Sequence, residues 1–573
     1  MTVQPLSRSH TARLNRRVVL LWLAPLGFLL FFFFRPLLTV FGLAGEEMLQ
    51  AGLAGATWLR VGRSLGFTFW QAALSTLATL ALGLPAAAVF GRFEFPGKNA
   101  LRILTTLPFI LPTVVVAAAF NTLIGPNGWI NLGLMRLFSL SAPPLNLLNS
   151  LAAIILAHVF YNTTVIIRVV GSAWSQLDPR LEQAARSLGA SPARTLREVT
   201  LPLLRPAILA AALLVFIFDF TSFGVILLLG GPQYATLEVE IYTQAMYMLN
   251  LPLAAFLSAI QLACTLTLTI LYSRLNERLN IPLTPRLKRE GSRRPRTWSE
   301  KALVGAVCLV LFTLLVAPLA ALSARSFVRL EADRGQRGEV STGLTLDFYQ
   351  ELFINRRNSF FYVPPIEAVR NSVVFAAVTV LVSVSLGGLA AAALAQRAPL
   401  NRVLDPLLML PLGASAVTLG LGFVLVFNRP PLDPGTFPLL LPIAHSLVAL
   451  PFVVRTLQPA ILSIPQHLRD AAAILGARPL RVWLEIDFPI IARAMLVSAV
   501  FAFTISLGEF GATSFLARPE YPTIPVVIYR FIGQPGGLNY GQALAMSTLL
   551  LWVCALGIFI IERLRLPGGQ DQY

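Results

Sequence analysis

Apolar runs long enough to cross a bilayer recur from one end of this chain to the other, and they leave it few ways to fold. A helix needs roughly 20 apolar residues to span the hydrocarbon core. Runs of that order lie near 18–41, 64–90, 102–124, 147–170, 203–229, 250–273, 302–323, 370–395, 403–427, 436–456, 487–507 and 541–561. No water reaches the core to take up backbone hydrogen bonds, so such runs must be helical. Composition agrees: of 573 residues 56% are hydrophobic and only 13% charged, outside the usual soluble range. The fold expected is all-α, a polytopic membrane protein of about twelve transmembrane helices. Cys264, Cys308 and Cys554 fall inside these runs without metal-site or disulfide spacing and read as core residues.

The first run follows Arg13, Arg16 and Arg17 as a signal peptide would, yet it passes Arg35 and continues to about Ala44. That exceeds a signal-peptide apolar region of roughly 7–15 residues, so an uncleaved first span is expected. Lys and Arg stay on the cytoplasmic side of short loops. Here 45 basic residues stand against 27 acidic ones and the excess gathers in alternate loops: ahead of the first span, at Arg92 to Arg102, at Arg180 to Arg205, at Arg274 to Lys301, at Arg397 and Arg402, in the 457–486 loop and at Arg563 and Arg565. This places both termini in the cytoplasm of a cell whose plasma or inner membrane holds the chain. A basic soluble protein would suggest nucleic acid as a partner. Loop retention accounts for the charge instead, so the expected surroundings are membrane lipid, with no nucleic acid.

The chain is also duplicated. "LEQAARSLGASPARTLREVTLP" at Leu181 to Pro202 and "LRDAAAILGARPLRVWLEIDFP" at Leu468 to Pro489 agree at ten of 22 positions. The same shift of 287 pairs His158 with His445, Arg168 with Arg455, Phe223-Gly224 with Phe510-Gly511, and Pro232, Tyr234, Thr236 and Tyr242 with Pro519, Tyr521, Thr523 and Tyr529. Pro108 faces Pro411 at a shift of 303, which puts a 16-residue excess in the first half near 125–146. A repeat of six spans enters the membrane the same way round each time, giving two parallel six-helix repeats with a pathway between them. The organisation expected is a tail at 1–17, a first domain at 18–273, a basic linker at 274–301, a second domain at 302–563 and a tail at 564–573. The linker has nine basic residues, three acidic ones and three prolines, with no apolar face.

Residues Pro179 to Leu188 suit a short helix with Leu181, Ala184, Ala185 and Leu188 on one face. Gly189 stops it, because glycine takes the left-handed cap conformation readily. Ser191-Pro192 then reads as N-cap and first turn of a second short helix running to a Leu201-Pro202 break. The result is a cytoplasmic knuckle, present twice, which calls for a partner with two similar grooves, most simply a homodimer.

These residues resemble the EAA loop of type I ATP-binding-cassette importer permeases, which is identified by acid-Ala-Ala, three residues, then Gly. The first copy, within loop 171–202, supplies Glu182, Gln183, Ala184, Ala185, Gly189 and Pro202. The second, within loop 457–489, supplies Asp470, Ala471, Ala472, Gly476 and Pro489. The resemblance implies coupling helices seated in a homodimeric cytoplasmic ATP-binding subunit, and an external substrate-binding protein. Gln183 stands where the family has glutamate, with Glu182 one place early, while Asp470 is a shortened acid. An ion pair to the ATPase is therefore expected from the second loop and not from the first. Fused double permeases of this length resemble those for ferric iron and for thiamine, while "GEFGAT" and "PTIPVVIY" also resemble sulfate and molybdate permeases.

No G-x-x-x-x-G-K-[ST] phosphate loop occurs, so the chain is expected to be a transport permease and not an enzyme, with no catalytic residues and no cofactor on this chain. His158 and His445 occupy matching places inside the fourth and tenth spans, and without Cys or carboxylate ligands beside them no metal site is expected. Asp219 has Ser506 as its counterpart and Glu509 has Ser222, an asymmetry where a pathway would pass. These four are the candidate pathway residues: Asp219 and Glu509 as contacts of a cationic substrate or gate, with pairing inside the bundle as the alternative, and His158 and His445 as a substrate-facing pair or, the preferred reading, neutral histidines bonded across helices. The alternative to an ATP-driven importer is an ion-coupled secondary transporter of parallel-repeat architecture, a class that gives no reason for the repeated knuckle.

Overall fold

The computed structural model of the protein describes residues 16–50, 55–231, 233–279, 293–329, 343–354, 364–396 and 398–564. Among them, eleven helices are long and apolar enough to cross a membrane, and the bent pair Asn401–Gly413 and Ala416–Val426 makes a twelfth. Tail residues 1–15 and 565–573, linker residues 280–292 and Pro232 lie outside the described residues. The first half places Val18–Met48, Trp58–Arg92, Thr113–Phe138, Leu151–Gln176, Pro192–Phe220 and Leu251–Leu275 in order. The second places Trp298–Ser326, Pro365–Leu394, the bent pair, Leu440–Leu462, Pro479–Gly508 and Gly537–Ile561. The only strands among the described residues are Val328–Arg329 and Gly343–Leu344, an antiparallel pair in the loop after the seventh span. Large apolar side chains such as Leu23, Trp70, Leu77, Phe312, Leu381 and Trp552 face outward, as lipid contact requires.

Matching bonds recur in the two halves. Leu237 N donates to Thr68 Oγ1 at 2.9 Å, and Ile524 N donates to Ser372 Oγ at 2.9 Å. A Cβ on Gly83 would lie 2.7 Å from Ile166, and one on Gly387 would lie 2.7 Å from Val453. Leu237 and Ile524, like Ile166 and Val453, are 287 residues apart, whereas the second and eighth spans are offset by 304. The change of offset falls where the first half carries an additional helix, Trp129–Phe138, and residues 427–439 carry none.

Each half lends its first span to the other. Trp22 Nε1 donates to Asn401 Oδ1 at 3.0 Å, and Phe32 stacks near Phe423 at 6.4 Å. From the second half, Leu311 packs with Phe90 and Ile167, and Ala321 O accepts from Trp129 Nε1 at 3.2 Å.

Three expectations about continuity are corrected. The run 102–124 is not one helix: Lys98–Ile110 and Thr113–Ile124 are separated at Leu111, whose ψ is 135°. Pro112 has no N–H and its ring disfavours the helical conformation for the residue before it. The run 203–229 stops at Phe220 and restarts at Gly224–Leu229. The Leu201-Pro202 break is absent, since one helix runs from Pro192 to Phe220. A wider π turn at Leu196–Thr200 precedes Pro202, and another at Trp483–Asp487 precedes Pro489. Widening the turn relieves the clash between the proline ring and the carbonyl four residues back. Helix also extends into both ends of the expected linker, as Leu251–Leu279 and Trp298–Ser326.

Gly83→Leu should lower the unfolding temperature in detergent, because overpacking a tight crossing costs about 1–3 kcal/mol. Gly62→Leu, on the same helix with nothing within 4 Å of its Cβ, should leave it unchanged or raise it. Equal midpoints for the two variants would contradict the close crossing.

Candidate functional site

Two assemblies stand at opposite ends of the bundle. The fifth span, 29 residues from Pro192 to Phe220, separates them by about 40 Å at 1.5 Å per residue.

At one end lie the two knuckles. Pro179–Ser187 is capped by Asp178, whose carboxylate accepts from Arg180 N at 3.0 Å. Gly189 has φ +86°, and Ala190 N closes the helix end onto Ala185 O at 3.1 Å. The second knuckle repeats this: Gln466–Ile474 ends before Gly476 at φ +78°, with Ala477 N on Ala472 O at 3.0 Å. Both closures are the six-to-one bond that a left-handed glycine permits. Ser191 Oγ accepts from Arg194 N at 3.3 Å and starts the next helix. Ala184 and Ala471 are exposed, Ala185 and Ala472 half-buried, and Pro202 and Pro489 lie exposed where the knuckle joins its span. Gln183 is exposed, and Asp470, also exposed, accepts from Gln466 Nε2 at 3.1 Å. Glu182 turns inward, taking bonds from Arg92 and from Thr200 Oγ1, the latter at 2.8 Å.

Leu188 departs from expectation. It follows the last helical residue with ψ 10° and is 89% exposed. Its counterpart Leu475 is 86% exposed, beside Ile474 at 85%. Each knuckle thus presents an uncovered apolar tip. Sequence periodicity missed it because the cap residue no longer follows the helical repeat.

At the other end the candidate pathway residues meet inside each half. His158 Nδ1 lies 3.0 Å from Ser75 Oγ and 3.4 Å from Asp219 Oδ1, and its Nε2 lies 2.9 Å from Ser222 Oγ. Asp219 also accepts from Asn162 Nδ2 at 2.6 Å, and its backbone oxygen accepts from Gln71 Nε2 at 2.8 Å. In the second half His445 Nδ1 lies 2.8 Å from Ser506 Oγ, while Nε2 lies 2.8 Å from Thr513 Oγ1 and 3.3 Å from Glu509 Oε2. The two sites are the same with acid and serine exchanged about the ring. Glu509 further accepts from Ala512 N and Thr513 N, each at 2.9 Å, and from Thr513 Oγ1 at 2.6 Å, so it caps the short helix Thr513–Leu516. All four residues are buried, and the hydrogen-bond partners named above come from their own half. Among the described residues no group of three or more His, Cys, Asp or Glu side chains is arranged to hold a metal ion.

The segments these pairs brace carry Phe223 and Phe510, which stack on each other at 5.6 Å and 21°. Equivalent positions touch each other only on the symmetry axis, so the axis relating the halves passes between these rings. Tyr242 flanks Phe223 at 5.3 Å and Tyr529 flanks Phe510 at 5.4 Å. The sequence paired these residues by repeat alone and gave no sign that they meet.

The family model described as "Binding-protein-dependent transport system inner membrane component" matches residues 80–281 and again 383–565. The chain is 28% identical over 509 residues to the thiamine transport system permease protein ThiP of Escherichia coli (strain K12), covering 88% of each chain. It is 27% identical to ThiP of Brucella suis biovar 1, covering 87% of this chain and 86% of that one. It is also 27% identical over 539 residues to the probable ABC transporter permease protein y4fN of Sinorhizobium fredii, covering 92% of each.

Glu509→Ala strands two buried N–H groups, and at roughly 1–3 kcal/mol for each unsatisfied group should destabilise the chain by roughly 2–6 kcal/mol. Glu509→Gln keeps one acceptor and should cost less. Thermal unfolding of both in detergent checks the order, and indistinguishable midpoints would remove the capping role.

Proposed function

This chain belongs to the family of binding-protein-dependent transport system inner membrane components, with two copies fused in one polypeptide, and from that premise we propose that it carries thiamine, driven by a homodimeric ATPase seated on both knuckles. It is the membrane-spanning permease subunit of an ATP-binding-cassette importer and a multi-pass inner-membrane protein. ATP hydrolysis takes place on a separate ATP-binding subunit, and an external binding protein supplies the solute. The ion-coupled reading falls away with that assignment.

The docking reading rests on the duplicated prongs, each a glycine-capped helix with an exposed leucine at its tip. Two like prongs on one chain suit two like grooves. Basic residues near them, including Arg180, Arg186, Arg194 and Arg478, support a cytoplasmic setting for the knuckles and for both termini. The solute path is proposed along the axis, closed at the outer end by the Phe223–Phe510 stack. His158 with Asp219, and His445 with Glu509, hold that gate from behind. ATPase closure must favour one arrangement of the halves for the gate to respond, and the prongs carry that preference. Thiamine is favoured over ferric ion because the relatives named as thiamine permeases align along most of the chain.

Leu188→Asp with Leu475→Asp should abolish co-purification of the ATP-binding subunit, since burying one leucine contributes about 1.5–3 kcal/mol. Undiminished co-purification would reject the docking reading. In proteoliposomes holding the complete complex, labelled thiamine should accumulate with ATP and binding protein. Accumulation of ferric ion in its place would replace the substrate and leave the docking intact.

A further inference from the structure

The short helix Leu237–Met246, between the fifth and sixth spans, carries an acid in its first turn, Glu238, that is 0% exposed. Gln261 of the sixth span is equally buried, and its Nε2 donates to Glu238 Oε1 at 2.9 Å. Among the described residues the other oxygen of each, Glu238 Oε2 and Gln261 Oε1, has no hydrogen-bond partner. Native interiors rarely leave polar atoms so. Two acceptors can satisfy each other only if one of them carries a hydrogen.

The ionisable groups of the surrounding elements are engaged elsewhere or lie apart. The helix packs on the second and sixth spans and on Ala416–Val426, which contains no ionisable residue. On the second span Arg60 lies 4.0 Å from Glu240, two residues on from Glu238 and so about 200° round the helix. Arg63 of the same span is exposed, and Arg92 pairs with Glu182. On the sixth span Cys264 is half-buried, while Tyr272 and Arg274 lie about 16 Å or more beyond Gln261. Asp405, in the first limb of the bent pair, goes to Arg455 at 3.1 Å. An ionised Glu238 would be a buried charge without a counter-ion, far costlier than a neutral carboxyl.

The acid and amide stand on the seam between the halves. Thr265 Oγ1, one turn along from Gln261, donates to Gly413 O at 2.8 Å, and a Cβ on Gly413 would lie 3.3 Å from Leu266. Gly413 ends the first limb of the second half's bent pair, and Ser415, the N-cap of the other limb, adjoins the Glu238 carboxyl. The Ser415 hydroxyl is engaged in its own half, donating to Thr418 Oγ1 at 2.9 Å and accepting from Thr418 N at 3.0 Å. At 287 residues on from Glu238 and Gln261 stand Pro525 and Thr548, so the duplication holds this acid and amide once.

We propose that Glu238 binds a proton and is a positioning residue for the seam: its neutral carboxyl donates through Oε2 to Gln261 Oε1, closing a reciprocal pair that seats the first half against the helix break of the second. One proton supplies both missing hydrogen bonds, because a protonated carboxyl gains an O–H donor and keeps an acceptor. The halves shift against each other as the ATPase closes, and the pair fixes one side of the seam without leaving a net charge in it. This rests on the permease assignment and not on the choice of thiamine.

The full chain in detergent is read by infrared spectroscopy for the carbonyl stretch of a protonated carboxyl, wild type minus Glu238→Gln, and by amide hydrogen exchange across 413–418. With its ATP-binding subunit in proteoliposomes it is read for labelled thiamine taken up per ATP hydrolysed. Glu238→Gln should lose the band yet retain exchange and uptake per ATP, since a second amide reproduces the reciprocal pair. Gln261→Leu should speed exchange about tenfold, equivalent to about 1.4 kcal/mol, and lower uptake per ATP about fivefold. Glu238→Gln with Gln261→Glu moves the acid to the other partner and should restore the band with both other readouts. Identical wild-type and Glu238→Gln spectra would overturn the proposal, and that comparison holds even if Gln261→Leu fails to fold. Unchanged exchange in a folded Gln261→Leu would overturn it too, as would sodium stabilising the wild type and not Glu238→Gln, which would put an alkali cation on the two oxygens. A wild type that hydrolyses ATP and takes up no thiamine would refute the substrate alone, with the band and the exchange still deciding the proton.

Discussion

Every backbone N–H and C=O inside a bilayer must find its partner within the protein, and among its described residues this chain interrupts helices inside its apolar runs. The interruptions fall at Leu111, at Thr221 to Phe223, at Ala414 and at Glu509 to Ala512. Each helix end frees up to four donors or acceptors, and the polar side chains of the interior stand where these groups emerge. Tyr161 Oη donates to Leu111 O at 3.2 Å, and Thr265 Oγ1 to Gly413 O at 2.8 Å. Ser415 Oγ accepts from Thr418 N at 3.0 Å, Gln71 donates to Asp219 O, and Glu509 collects the amides of Ala512 and Thr513. The bundle can break its helices next to the axis because these residues take up the freed groups.

The same requirement explains how the halves diverged without losing their common frame. A bond across a helix junction constrains the pair and not which partner carries which group. Around the two histidines the acid sits on the Nδ1 side in one half, as Asp219, and on the Nε2 side in the other, as Glu509. Across the knuckles, Glu182 with Thr200 becomes Arg469 with Asp487. Such exchanges leave the backbone geometry alike, as the matched bonds from Leu237 and Ile524 attest.

Much of this was legible in the chain. Span number, the parallel duplication and the glycine-capped knuckles follow from apolar run length, a constant shift of 287 and the φ requirement at Gly189 and Gly476. Side-chain direction was less legible. Asp219 and Glu509 stood out as unmatched acids, which pointed to a pathway, yet each shares its histidine with a serine three residues away in its own half, so acid and serine have changed places between the copies. The exposure of Leu188 was hidden because periodicity fails at a cap. The pairing of Arg92 with Glu182 joins residues 90 positions apart and has no local signature. The continuity through Leu201-Pro202 depends on a π turn, which proline position alone does not reveal.

Fusion decides which positions were free to change. Phe223 and Phe510 meet their own counterparts across the axis, so a change in either ring must fit the other's surroundings as well as its own. These two are identical, and so are the flanking tyrosines Tyr242 and Tyr529. The residues that differ, Asp219 and Ser506, Ser222 and Glu509, Glu182 and Arg469, bond within their own half and meet no copy of themselves. In a symmetric pair of separate chains, a charge reversal at position 182 would appear twice and strip both knuckles of the Arg92 tether. In one polypeptide it appears once, so Glu182 keeps its pair with Arg92 in the first copy while Arg469 bonds Asp487 in the second.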